Sequence, residues 1–142
     1  MKLIGLKNVS EQTLIVNGLV NLGSVYRVYL PCGAFSADAT SVSLTGKGIY
    51  HLTAVITFTA PAAGDVTFQL LENGEAVPGA LATETITTAT TEIKTTTLDY
   101  YFLVDSTCVL NTPSVTIKNI AIQNTGVAST VSNVVLNITK EV

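Results

Sequence analysis

The sequence predicts an all-β domain of sandwich or barrel type, and three observations carry that prediction. Apolar residues make up 47% of the 142 positions and charged residues only 12%, where about 25% charged is ordinary for a globular domain. Threonine (22) and valine (17) are the commonest residues, and both are β-branched and suited to strands. Apolar positions recur at period two, and no long segment carries a helical stripe at i, i+3, i+4, i+7. A chain of this length folds as one domain around its own core. No linker or internal repeat divides residues 1–142.

Early candidate strands cover residues 13–19, 24–30 and 40–45. The clearest strand lies at 48–59. There Tyr50, Leu52, Ala54, Ile56 and Phe58 alternate with His51, Thr53, Thr57 and Thr59, with Val55 among the latter. One face is therefore core and the other semi-polar. Pro61 and Gly64 break the strand. Residues 65–72 bury Val66, Phe68 and Leu70 and run into Asn73-Gly74. That dipeptide tolerates positive φ at both positions and favours a two-residue hairpin turn.

Residues 75–81 return as the partner strand, and Pro78-Gly79 mark an edge or bulge. Nine of the fifteen residues 83–97 are threonine. Ile86 and Ile93 interrupt the run, so it reads as a strand plus a surface loop. Residues 98–104 are apolar on both faces, as in a strand covered on both sides. One side faces the core and the other a neighbouring subunit. Residues 114–122 and 131–140 complete the set, separated by Asn124-Thr125-Gly126. The sum is about eight to ten strands with frequent turns.

Low charge also bears on assembly. With few charged side chains to wet its exterior, the chain is expected to bury surface against copies of itself. The net charge of −3 offers no field for nucleic acid or anionic lipid. The apolar run after Met1 is four residues long before Lys7, too short for a signal-peptide core. No stretch reaches the roughly 18 apolar residues of a membrane helix. Synthesis in a cytosol without conventional export is the expectation. Cys32 and Cys108 then read as free, buried, small apolar residues. A disulfide formed after release from a cell is the alternative.

Little in the sequence points to catalysis. His51, the sole histidine, sits mid-strand on the semi-polar face, and no Gly-x-Ser-x-Gly elbow accompanies it. A catalytic role would need a nucleophile and an orienting acid brought to it. One histidine and two distant cysteines do not make a zinc site, and neither calcium-loop nor phosphate-loop motifs occur. No catalytic, cofactor-binding or metal-binding residue is assigned. The Tyr100-Tyr101-Phe102 cluster stands out instead, as core packing or as a subunit interface, where aromatics are enriched.

Three segments resemble the C1q/TNF-like jelly roll. Gly48-Ile49-Tyr50-His51-Leu52-Thr53-Ala54 is similar to that family's Gly-x-Tyr strand. Val66-Thr67-Phe68-Gln69-Leu70-Leu71-Glu72-Asn73-Gly74 resembles its strand and Asn-Gly hairpin, and Ser132-Asn133-Val134-Val135-Leu136-Asn137-Ile138-Thr139 its closing strand. The likeness spans residues 40–142, the jelly-roll body. Residues 1–32 lie outside it and are expected to form extra strands or a docking arm.

The resemblance implies an antiparallel jelly-roll sandwich and a homotrimer with an apolar threefold seam, to which Tyr50, Tyr100, Tyr101 and Phe102 are assigned. It implies no catalytic residues. The whole chain looks most similar to small proteins of bacteriophages and prophages of Gram-positive bacteria. That likeness implies a non-enzymatic virion protein, made in the host cytoplasm, that decorates the head or forms part of a fibre. Its partners would be itself and capsid or other virion proteins. The alternative is a receptor- or glycan-binding module using loops 60–64 or 83–91. A third reading, an enzyme, would require two facing carboxylates in a pocket, or His51 beside an acid and a hydroxyl.

Overall fold

The computed structural model describes residues 1–29, 34–104 and 117–142. Cys32, Cys108 and residues 114–116 of one candidate strand lie outside them. In the described residues the elements run β1 (Lys2–Asn8), β2 (Gln12–Leu14), β3 (Ser24–Tyr29), β4 (Phe35–Ala37), β5 (Val42–Leu44) and β6 (Gly48–Thr59). They continue with β7 (Gly64–Glu72), β8 (Glu75–Ile86), β9 (Lys94–Val104), β10 (Lys118–Asn124) and β11 (Ser129–Lys140). Every pairing among them is antiparallel. A front sheet has the order β3-β1-β11-β6-β9, with β2 also beside β11; a back sheet has the order β4-β5-β10-β7-β8. The two sheets form the sandwich expected of a jelly roll.

Alternation builds the core. Tyr50, Leu52, Ala54, Ile56 and Phe58 of β6 are fully buried, as are Val66, Phe68 and Leu70 of β7. Val134, Leu136 and Ile138 add the inner face of β11. Two aromatic contacts join the sheets. Phe58 meets Phe68 edge to face at 5.2 Å, and Phe35 meets Tyr50 at 5.8 Å. Such pairs add about 0.5–1.5 kcal/mol beyond the area they bury. The Tyr50 hydroxyl lies 2.7 and 2.8 Å from the Thr45 and Gly46 carbonyls, to which it donates. It thereby ties the β5–β6 turn to the core, and its burial raises the phenol pKa.

Several boundaries differ from the sequence reading. No candidate strand was placed at the residues of β1, because Leu3 and Gly5 obscure the alternation of Ile4 and Leu6. Candidate strand 13–19 shrinks to β2: Asn17 adopts φ 68° and Gly18 N donates to Ile15 O, which turns the chain. β4 is too short to show a period. The threonine-rich run divides three ways, into the end of β8, a loop at 87–93 and the start of β9. In that loop, hydrogen bonds from the Thr87 hydroxyl and amide hold the Glu92 carboxyl below its ordinary pKa.

The hairpin follows expectation. Asn73 and Gly74 take φ 53° and 83°, and the Asn73 side chain accepts from Asn119 N at 2.9 Å. Near Pro78-Gly79 the β7–β8 register shifts between Gln69 and Leu71. The ladder lost there is replaced by the buried Gln69 amide, whose Nε2 lies 2.8 Å from Val77 O and 3.2 Å from Ala80 O.

Three outcomes are expected. Phe58→Ala or Phe68→Ala lowers the unfolding free energy by about 3–5 kcal/mol in urea titrations, through transfer and cavity costs. Tyr50→Phe costs about 0.5–1.5 kcal/mol, the net worth of the hydrogen bond it removes from the Thr45 and Gly46 carbonyls. The Glu92 contact stabilises fully above the ordinary 4.5 of a free glutamate and is lost as pH falls through its lower folded value. The protection factor of the Thr87 amide should therefore fall on acidification in the wild type, and Glu92→Gln should remove that pH step.

Candidate self-association surface

The register of the front sheet sets the layout of its outer face. Pairings place Arg27, Gly5, Asn137, Thr53 and Asp99 in one row across five strands. The next row runs Tyr29, Leu3, Thr139, His51, Tyr101, and the row on the other side Ser24, Lys7, Val135, Val55, Thr97. At the chain's end, Glu141 N donates to Ile49 O, and Ile49 pairs with Leu103. Side chains in these rows point away from the core because the residues between them point into it.

This face is apolar where β6 meets β9. Tyr101 is 59% exposed, Leu103 56% and Ile49 39%, with Val142 beside them at 79%. Val55 and Val135 are half-buried in the middle of the sheet. Beside Tyr101 and Leu103 opens a cleft of about 540 Å³ between β9 and the β7–β8 hairpin. Glu72, Glu75, Val77, Pro78 and Lys118 line its far side, where Lys118 and Glu72 form an ion pair at 2.8 Å.

The four residues assigned to the seam from sequence separate here. Tyr50 and Phe102 are 0% and 2% exposed and belong to the chain's own core, so neither offers surface to a neighbour. Tyr100 is half-buried, edge to face with Phe102 at 4.9 Å. Tyr101 alone of the four points outward. The reason is period two, which sends adjacent aromatics of β9 to opposite faces. Ile49 and Leu103, with Val142, complete the patch; the signal of Ile49 and Leu103 was their place on the non-core side of each alternation.

His51 stacks on Tyr101 with ring centroids 4.3 Å apart and planes 7° from parallel. Its Nε2 donates to Asp99 Oδ1 at 2.6 Å, and its Nδ1 lies 3.9 Å from Glu141 Oε1. An acid thus does sit beside the histidine. Both ring nitrogens, however, face carboxylates, and neither holds a serine or threonine hydroxyl among the described residues. The Tyr101 hydroxyl belongs to the stacked ring rather than to a hydrogen bond with the imidazole. The arrangement orients His51 and does not activate a nucleophile. No group of three His, Cys, Asp or Glu among the described residues could hold a metal ion.

At the opposite flank, Tyr26 lies over Gly5, where a Cβ would come within 2.9 Å of its ring and 2.6 Å of Asn137 Oδ1. The Tyr26 hydroxyl donates to that oxygen at 3.0 Å. Lys7 and Arg27 each approach the Tyr26 ring at 5.3 Å. The loops weighed for ligand binding share one end of the sandwich, where Thr90 N donates to Ala60 O at 2.8 Å.

No family model matches the chain, and no curated protein matches it. Solved structures do. The globular domain of zebrafish complement 1qA superposes with a TM-score of 0.67 at 6% identity, over 100% of this chain and 98% of the other. Murine APRIL gives 0.63 at 12% identity, over 98% of each chain. Eiger TNF from S. frugiperda gives 0.62 at 10% identity, over 100% of this chain and 94% of the other. At such identities the likeness is one of fold. The protein has the jelly-roll fold of the C1q and TNF domains.

Proposed function

We propose that this protein is a non-enzymatic structural component of a phage particle, a homotrimeric jelly roll that decorates the head or forms part of a fibre. The observation that carries the assembly is the outer face of the front sheet. Tyr101, Leu103, Ile49 and Val142 form one exposed apolar patch beside a cleft, in a chain whose charged share is only 12%. Contiguous apolar surface of this kind is stabilised by burial, at about 25 cal/mol per Å² before association costs. The threefold state and the virion setting rest on the sequence resemblance. His51 is held with both ring nitrogens toward carboxylates, an arrangement that fits a structural role for the imidazole. The loop end at 60–64 and 87–93 lies away from the patch and is the surface available to a capsid or a cell-surface glycan.

Light scattering coupled to size exclusion should report about three times the 14.9 kDa of one chain. A clean monomer at micromolar concentration would sink the proposal. Leu103→Asp should weaken assembly by about 2 kcal/mol or more, as for a central interface residue, while leaving a folded monomer by circular dichroism. The virion setting is tested by mass spectrometry of purified phage particles, in which the chain should be found.

A further inference from the structure

Across the β-strands of the front sheet the outward charged groups are segregated by sign, while Lys47, in the turn before β6, lies at the end of the apolar patch beside Ile49 and Leu103. Lys7 and Arg27 stand on the β1–β3 flank, both against the Tyr26 ring. Asp99 stands on β9 and Glu141 just past β11, both against His51. Among the described residues, no other charged side chain belongs to the cross-strand rows traced above. Arg27 and Asp99 occupy the same row on its two edge strands. Four interstrand steps separate them, roughly 19 Å at the usual strand spacing. They cannot pair within one chain.

Each group is held in place by a ring of its own flank. Arg27 and Lys7 meet the Tyr26 ring, while Asp99, 60% exposed at its side chain, meets the His51 ring and keeps most of its carboxylate toward solvent. Two cations therefore face outward on one flank and two carboxylates on the other. The apolar patch adjoins the acidic flank through Tyr101 and Leu103. A second copy that covers this patch with its β1–β3 flank brings Lys7 and Arg27 to Asp99 and Glu141.

We infer that copies of this chain meet with the Lys7–Arg27 flank of one against the Asp99–Glu141 flank of the next. This rests on the self-association proposed above and adds its partner surface and register. The apolar patch supplies the attraction, and the charges fix which flank it accepts, since like charges would be opposed in the reverse arrangement. Each such contact leaves one basic and one acidic flank free, so a further copy can join in the same sense until the ring closes.

The test is a charge swap read by light scattering and sedimentation at low and high salt. Arg27→Glu and Asp99→Lys should each raise the dissociation constant for assembly about tenfold or more at low salt, with the gap narrowing as salt screens the contact. The double variant should return to near the wild-type value, because the pair is restored with its signs exchanged. Rescue also answers the objection that a single variant is misfolded. If the wild type assembles but both single variants assemble equally well, or the double is as weak as the sum of the singles, the charge register is wrong and the self-association stands. If the wild type is a monomer, the self-association proposal fails and this inference with it.

Discussion

Everything in this molecule depends on two sheets presenting complementary apolar faces to each other. Phe58 against Phe68 and Tyr50 against Phe35 span the gap, and the aliphatic residues of β6, β7, β10 and β11 fill around them. Interiors at this density transmit any loss of volume as a cavity. The same contacts hold β6 at the register that lets β9 and β11 flank it. Without them the outer face would have no fixed rows, and neither the aromatic patch nor the segregated charges would exist.

Period two makes the inner and outer faces one decision. Once Tyr50 and Phe102 are committed to the core, His51 and Tyr101 must face out and lie opposite each other across the β6–β9 pair. Their stacking follows from register alone. So does the reach of Asp99 to His51, which needs a diagonal of one residue pair across the same strands. A one-residue slip would exchange the core with the outer face, and the bulk of the buried aromatics opposes that strongly. The front sheet's outer surface is thus as well defined as its core.

The long central strands were legible in the sequence, because Gly48–Thr59 and its neighbours alternate over many residues between clear breakers. The Asn73-Gly74 turn was legible for its backbone chemistry. The shortest strands were harder: β4 was missed and β2 was drawn too long, each having three residues, too few to display a period, whereas β5 of the same length falls within the candidate strand 40–45. The assignment of Tyr50 and Phe102 to a seam counted aromatics without asking which face each one takes. The cation pair around Tyr26 could not be foreseen, since it depends on Gly5 leaving room for a ring and on a bulge in the β1–β3 ladder.

The placement of β11 has a consequence for how the chain is made. Among the described residues it is the last strand in sequence, yet it lies in the interior of the front sheet, with β1 and β2 on one side and β6 on the other. During synthesis β1 and β6 therefore wait with open edges until it emerges, a condition that invites pairing with the wrong chain. The nascent protein is most exposed to mispairing until Ser129–Lys140 emerges, and a ribosome that stalls upstream of Ser129 releases a sheet missing its middle.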